Sequence, residues 1–274
     1  MSASPHVPPV PAVLRLVQLA VLGRWRATSD DLYRAVVRAA EVQPRQEVLV
    51  SGCGDGAVAE WLAVRTEASV TGVDPDDSRI EAAEERARTA ETVMPLHFQQ
   101  APLDDLPHES AVFDVAIGEP PLSAAGDPAR AVAELARVTK PMGVVVLLQP
   151  TWTSDIAEAS REATVERLGL RPHLLVEWKQ MLRDAGIVEL QVQDWTDGPP
   201  AGSRTAEVPA VRQQRLTLGH KVQIAGRAIR RARGLRGARS AVEKEKALLR
   251  ELSRERAIGF QLIKGVKWPH PVAS

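Results

Sequence analysis

The chain has a single cysteine, Cys53, so no disulfide can close within it and no cysteine-based zinc cluster can be built. One lone thiol fits a reducing compartment. Net charge is also missing. Thirty-five Lys and Arg balance 35 Asp and Glu, which argues against a protein that coats nucleic acid along its whole length. Long apolar runs are missing too. Val10–Leu22 comes nearest, but it is short, it contains Arg15 and Gln18, and no basic stretch precedes it as one would a signal peptide. These absences lead to the expectation of a soluble, cytoplasmic protein. At 274 residues the chain is long enough for one large domain, or one domain with insertions.

A more local absence concerns acids. Residues 208–242 contain none, but they hold nine basic residues: Arg212, Arg215, Lys221, Arg227, Arg230, Arg231, Arg233, Arg236 and Arg239. Such an excess would suit RNA, an anionic membrane surface or a phosphorylated substrate. It lacks the interleaved aromatic residues that single-strand binding prefers, and a solvated basic face is the plainer reading.

What is present is organised around Val48-Leu-Val-Ser-Gly-Cys-Gly-Asp-Gly56 and Asp74. Val48, Leu49 and Val50 form the short continuous apolar run of a strand buried on both faces of a parallel sheet. Gly52, Gly54 and Gly56 follow at alternate positions, as a tight, ligand-accessible turn requires. A helix from about Ala57 to Ala63 would direct its free amide groups and its dipole at whatever lies over that turn. About twenty residues on, Thr71-Gly-Val-Asp74 ends the next strand in a carboxylate, the group that two ribose hydroxyls need. Together these features point to a ligand containing adenosine.

From Glu47 the pattern alternates strand and helix, which implies parallel strands with right-handed crossovers. Strands are expected at about 47–51, 69–74, 96–100, 112–117 and 143–149. Asp127 and Pro128 open a helix whose Ala131, Val132, Leu135 and Val138 share one face. Further helices are expected over Asp155–Leu168 and His173–Ala185. Ile187–Trp195 and Gly259–Trp268 read as a closing antiparallel pair. Ahead of the sheet, a helix over Val10–Trp25 and another from Thr28 to about Glu41 could pack on its flank or bring Trp25 or Tyr33 to the ligand mouth; ordinary packing is the plainer reading for both aromatics. The chain thus divides into a helical extension (1–44), a core domain (45–196 with 258–270) and a basic helical insertion (197–257) placed to cap a substrate.

The ordered series of motifs resembles the class I S-adenosylmethionine-dependent methyltransferases, within the broad small-molecule group of methyltransferase type 11. Val48–Gly56 resembles the family's first motif and Gly72-Val-Asp74 its second. Asp104-Asp-Leu-Pro107 and Val112-Phe-Asp-Val-Ala-Ile117 are similar to the next two segments. Ala136-Arg-Val-Thr-Lys-Pro-Met-Gly143 and Leu182-Arg-Asp-Ala-Gly186 are similar to the stretches before the fifth and sixth strands. The resemblance implies an α/β Rossmann-like, doubly wound, seven-stranded sheet, mostly parallel with an antiparallel last strand. It also implies S-adenosyl-L-methionine as cofactor and a small-molecule acceptor. By the same analogy Ser51, Gly52, Cys53 and Gly54 meet the methionine end, and Asp74 with Pro75 holds the ribose. Pro102 and Leu103 flank the adenine, and Gly118 and Glu119 lie near the sulfonium.

The sequence departs from the family at three positions. Val50 replaces a common acid, for which Glu119 or Asp104 could substitute. Pro102 stands where an acid often meets the adenine, and Met142 replaces a glycine in what reads as a simple turn adjustment. A nicotinamide-dependent oxidoreductase is the rival reading, since Gly52, Gly54 and Ala57 can be forced into a dinucleotide fingerprint. An RNA methyltransferase using the arginines, or a non-catalytic binding protein, are further alternatives. Displacement at an activated methyl needs positioning more than covalent help, and a general base only where the nucleophile holds its proton. Glu119, His108 and His173 are the candidates for that base. Cys53 is not a nucleophile, because no histidine is placed near it. Trp152 and Trp178 beside arginines would suit an acceptor with an apolar body and an anionic or polar head.

Overall fold

The computed structural model describes residues 29–90, 92–153, 155–169, 171–196 and 257–269. The expected Val10–Trp25 helix and the basic segment 208–242 lie outside them. In chain order the elements are α1 (Ser29–Ala40), β1 (Glu47–Ser51), α2 (Ala57–Thr66), β2 (Ser69–Asp74), α3 (Asp77–Thr89), β3 (Leu96–Gln100) and β4 (Phe113–Gly118). After a single 3-10 turn at Pro120–Ala124 come α4 (Pro128–Val138), β5 (Thr139–Trp152), α5 (Glu158–Leu168), β6 (His173–Leu174), α6 (Leu175–Asp184), β7 (Ile187–Asp194) and β8 (Ile258–Lys267).

The strands form one sheet in the order β3-β2-β1-β4-β5-β8-β7, with β6 beside the end of β5. Neighbours are parallel except along β8, which runs antiparallel to both β5 and β7. All seven expected strands are present. The eighth, β6, occupies what reads as the start of a helix in the sequence: His173 and Leu174 pair with Thr151 and Trp152, and the helix begins only at Leu175, where the Leu174 amide donates to Glu177 Oε2 at 2.7 Å. Likewise α5 starts at Glu158 rather than Asp155. β5 is twice the expected length because Thr139 pairs with Phe113 of β4 ahead of a register shift and β8 pairs with β5 as far as Trp152.

Side-chain alternation divides the core between the two faces. Val48, Val50, Val115, Ile117, Val146, Leu148, Phe260 and Leu262 pack with Tyr33, Val36, Trp61 and Leu62 from α1 and α2. Leu49, Val73, Ala116, Val145, Leu147 and Ile263 pack on the other face with Leu135 of α4 and with Trp178 and Leu182 of α6. The cap expected at α4 is in place: Asp127 accepts from the Arg130 amide at 3.1 Å with Pro128 at the first position. At the other end of α4, Lys267 Nζ donates to the carbonyls of Arg137 and Thr139 at 3.3 and 2.7 Å, a cation set against a helix carboxyl terminus.

Met142 does more than adjust a turn. It is exposed and sits at φ 64 within β5, a left-handed conformation that costs a side chain about 1–2 kcal/mol. Met142→Gly is therefore expected to stabilise the fold by roughly 0.5–1 kcal/mol after the extra freedom glycine gains in the unfolded chain. Thermal denaturation should show this as a rise of about 1–4 °C; an unchanged or lower midpoint would show that the position carries no strain.

Candidate cofactor and methyl-transfer site

The strand order reverses between β1, which leads outward to β2 and β3, and β4, which leads to β5. The carboxyl ends of β1 and β4 therefore flank the crevice where open α/β sheets take their ligands. The glycine turn leaves β1 at this point. Gly52 and Cys53 both donate to Val73 O, at 2.7 and 3.0 Å, which ties the turn to the end of β2. Gly52, Gly54 and Gly56 all have positive φ, at 83, 58 and 76°, but they differ in what a side chain would meet. At Gly56 a Cβ would lie 2.7 Å from Phe98 Cζ and 2.9 Å from Ala83 Cβ, so this glycine is required by packing. At Gly54 nothing lies within 4 Å, so open space stands over the backbone. Gly56 is also the N-cap of α2 and offers no side-chain hydrogen bond; at this helix end the Ala57 amide donates to Asp55 Oδ1 at 3.4 Å.

Asp74 is fully buried at the end of β2. Its Oδ2 accepts from the Gly54 amide at 2.9 Å and its Oδ1 from the Asp76 amide at 3.0 Å. Each carboxylate oxygen keeps a lone pair for a further donor. Arg79 Nη1 lies 3.8 Å from Oδ2 at the exposed side. Pro75 is exposed beside it, and its carbonyl accepts from Gln100 Nε2 at 3.3 Å. The Ala101 amide donates to Asp74 O at 3.3 Å, which brings the 101–103 segment alongside. Pro102 is exposed there, whereas the Leu103 side chain turns into the α4-side core.

Gly118 and Glu119 follow on β4. Any Cβ at Gly118 would strike Leu147 Cδ2 at 2.7 Å, so the strand end has no room for a side chain. The Glu119 amide donates to Ser51 O at 2.9 Å. Gln149 Nε2 holds the carbonyls of Gly118 and Glu119 at 3.0 and 2.9 Å, and Ser123 Oγ in turn donates to Gln149 Oε1 at 2.7 Å. The Glu119 side chain is only 2% exposed. Its Oε2 accepts from Tyr33 Oη at 3.1 Å, a contact that spans 86 positions of sequence. Burial pushes the Glu119 carboxyl up from 4.5 to about 8, although the Tyr33 hydrogen bond pulls the other way. Burial, then the adjacent Glu119 carboxylate, raises Tyr33 well above its ordinary 10.0. The sign of the linkage follows. Between 4.5 and about 8 the unfolded chain is ionised at this position while the folded one holds its proton, so Glu119 lowers stability as pH rises through that window.

Two buried polar atoms at these strand ends have no partner, Glu119 Oε1 and Ser51 Oγ. Other buried polar atoms among the described residues are also without a partner, Thr151 Oγ1 and Trp178 Nε1 among them, but Glu119 Oε1 and Ser51 Oγ stand at the strand ends that flank the crevice. Together with the open space over Gly54 and the lone pairs of Asp74, they fit a ligand with polar groups at both ends. Glu119 also projects to the same sheet face as Val50, whose register partner is Ile117, two residues before it. A carboxyl thus stands on the face where Val50 has none, one residue past the end of β4. Asp104, the other acid considered, lies on the loop after β3, where its Oδ2 accepts from the Asp127 amide at 3.1 Å.

The other sequence candidates fall elsewhere. His108 stacks edge-on to Phe113, the first residue of β4, with ring centres 5.1 Å apart, so it stands at the opposite, amino edge of the sheet. Burial, then the charge of Arg137, lowers its pKa below the ordinary histidine value. His173 lies at the carboxyl end of β5, but its ring packs edge-on to Trp178 at 5.2 Å, on the face away from Tyr33. Trp178 is fully buried core and walls no acceptor space. Trp152 does lie in the Tyr33 cluster, with Ile156. Cys53 is buried, and burial followed by the charge of Asp74 raises its thiol far above the ordinary range, so it stays protonated and inert.

Two contacts were not legible in the sequence, that of Tyr33 with Glu119 and that of Arg86 with the glycine turn. Tyr33 is the only tyrosine of the chain, and it sits on the buried side of α1 with Leu32, Val36 and Ala40. A phenol on an apolar helix face signals a buried partner without naming it. Arg86 of α3 clamps the glycine turn from outside: its Nε and Nη2 donate to Asp55 O and Oδ2 at 2.9 and 3.3 Å, and its Nη1 to Glu60 Oε2 at 3.1 Å. Nothing in an exposed-looking helix face reveals that.

Residues 49–147 match the methyltransferase domain family. The chain is 27% identical over 207 residues to the 27-O-demethylrifamycin SV methyltransferase of Amycolatopsis mediterranei, covering 71% of this chain and 76% of that protein. Among solved structures it superposes on geranyl diphosphate C-methyltransferase from Streptomyces coelicolor, determined with S-adenosyl-L-homocysteine, at a TM-score of 0.65 and 14% identity over 88% of this chain and 76% of that one. It also superposes on the 4+2 cyclase SpnF at a TM-score of 0.67 and 20% identity, over 94% of each chain, so the fold by itself serves more than one chemistry. Residues 49–147 thus carry a methyltransferase domain, and with the curated relative the chain resembles the class I S-adenosylmethionine-dependent methyltransferases in sequence as it does in fold, an enzyme whose cofactor is S-adenosyl-L-methionine.

Proposed function

We propose that the chain transfers a methyl group by in-line displacement to a small, partly apolar acceptor with a polar or anionic head, bound between the glycine turn and Tyr33. The observation that carries this reading is the buried Glu119 carboxyl at the end of β4, whose Oε1, like Ser51 Oγ at the end of β1, has no partner among the described residues. In this reading Ser51 and the backbone of Gly52, Cys53 and Gly54 take the methionine end, Asp74 and Pro75 the ribose, and Pro102 and Leu103 the adenine. Gly118 and Glu119 stand at the reacting sulfur. When bound, the cofactor supplies a methyl carbon already activated toward displacement. The chain supplies position and a dry, apolar setting, and Glu119 is placed to receive a proton from the nucleophile.

The chain path supports an acceptor at this edge. β7 ends and β8 begins at the carboxyl edge of β5, where Ile258 pairs with Trp152 and the Trp195 amide donates to Phe260 O at 2.8 Å. The described chain therefore stops at Thr196 and resumes at Ala257 on the side that holds the site, and the arginines of the sequence between them would suit an anionic head. The two relatives named above carry 27-O-demethylrifamycin SV and geranyl diphosphate in their names, which is the kind of acceptor proposed.

The test is incubation with methyl-labelled cofactor and a panel comprising a prenyl diphosphate, a phenolic polyketide, glycine and transfer RNA. Label is expected in one of the first two. Label in glycine or RNA alone would overturn the acceptor assignment.

A further inference from the structure

The Glu119 carboxyl is buried, and the groups that face it among the described residues come from α1, the glycine turn and β5. α1 gives Tyr33, whose hydroxyl donates to Oε2; the glycine turn gives Cys53, which feels the charges of Asp74, Glu119 and Asp55; β5 gives only the neutral Gln149, which holds the Glu119 carbonyl. Every titratable group named here is an acid, and the remaining oxygen, Oε1, has no partner. A buried carboxyl in such company binds its proton when the site holds no cation and gives it up when one arrives. The cofactor carries a positive sulfonium before transfer and a neutral thioether after it.

We propose that Glu119 is a proton-coupled charge sensor, a carboxylate opposite the sulfonium form of the cofactor and a carboxylic acid opposite the thioether product. The proposal rests on the placement of the cofactor sulfur at Gly118 and Glu119, but not on the identity of the acceptor. During turnover the bookkeeping balances within the site. The bond between methyl carbon and sulfur breaks with its electron pair left on sulfur, and a bond between that carbon and the nucleophile forms. The nucleophile's bond to hydrogen breaks, and the proton goes to Glu119 Oε1. Positive charge on sulfur and negative charge on Glu119 vanish together, so the buried site keeps the same net charge throughout. This narrows the acceptor to one whose nucleophilic atom bears a removable hydrogen. It also gives the enzyme a way to prefer substrate cofactor over product, because the carboxylate attracts only the charged form.

The test is calorimetric titration of the full chain with S-adenosylmethionine and S-adenosylhomocysteine at pH 7, in buffers of different ionisation enthalpy, which counts protons exchanged per site. Glu119→Gln keeps the shape of the side chain and its hydrogen bond from Tyr33. Subtracting its count removes the protons of the ligands' own amino groups. With the carboxyl held up at about 8, close to one proton per site is expected to leave Glu119 on binding of S-adenosylmethionine, and close to none on binding of S-adenosylhomocysteine. The wild-type dissociation constant for S-adenosylmethionine should fall roughly tenfold per pH unit below about 8 and then level off. Tyr33→Phe removes the donor that favours the carboxylate and should move that break to higher pH, a readout that loss of packing would not produce. Equal proton counts in wild type and Glu119→Gln would overturn the proposal. A complete lack of S-adenosylmethionine binding by the wild type would overturn the cofactor placement with it.

Discussion

Asp74→Asn is expected to weaken S-adenosylmethionine binding about 100-fold and to destabilise the ligand-free fold by roughly 1–3 kcal/mol. Both effects come from one substitution of an oxygen by an NH2. In the native site the two carboxylate oxygens each accept a backbone amide, from Gly54 at 2.9 Å and Asp76 at 3.0 Å, inside a fully buried position. An amide side chain can accept on one side only. On the other it sets donor against donor, which leaves a buried N–H unsatisfied at a cost of about 1–3 kcal/mol. A ribose would also lose its charged acceptor, and hydrogen bonds to a charged group are worth roughly 1.5–3 kcal/mol each. About 2.7 kcal/mol corresponds to the hundredfold loss. Calorimetric titration and denaturant unfolding separate the two terms. Native-like affinity in the variant would remove Asp74 from the cofactor site while leaving its structural role intact.

Alanine at Gly56 and at Gly54 should give opposite phenotypes, although the two glycines are two positions apart. Gly56→Ala forces a methyl group to within 2.7 Å of Phe98 and 2.9 Å of Ala83 at φ 76. Left-handed strain of about 1–2 kcal/mol and overpacking of about 1–3 kcal/mol together approach 3–4 kcal/mol, a large part of a domain's stability. Gly54→Ala meets nothing within 4 Å at φ 58, so the fold should lose only about 1–2 kcal/mol. The new methyl would occupy the space through which a ligand approaches the turn, and the cofactor dissociation constant should rise at least about tenfold. Unfolding curves and titrations on the pair would settle it. Undiminished affinity in Gly54→Ala would mean that the cofactor does not lie against this part of the turn.

These contrasts mark where local pattern in the sequence is informative and where it is not. The three glycines and Asp74 could be placed at strand ends from spacing alone, because turn chemistry and strand termini are set by neighbours in sequence. The same holds for Asp127 and Pro128 at the start of α4. Spacing could not say that Gly56 is required by Phe98 and Ala83 while Gly54 is left open, since that depends on β3 and α3 packing over the turn. It could not find the Tyr33 and Glu119 contact either, because the two residues meet only after α1 folds back across the sheet. His173 looked like the first residue of a helix, and its two-residue strand exists only because β5 runs on to Trp152. Trp178 and His108 are residue types that recur at binding sites. Here both are buried or half-buried packing groups, which only the placement of α6 and of the amino edge of β4 makes plain.

The order of strands has a consequence for how the chain reaches its fold. β7 touches the sheet only through β8, since it lies at the far edge in the order β3-β2-β1-β4-β5-β8-β7. β8 is separated from β7 by residues 195–257. On a ribosome, β7 emerges with nothing to pair with, and the β5 edge stays open until residue 267 is made. For the whole of that interval two unpaired strand edges face solvent in a nascent chain. Completion of the sheet therefore waits on β8, and any event that stops synthesis or cuts the chain within residues 195–257 leaves a partly assembled sheet prone to pair with its neighbours.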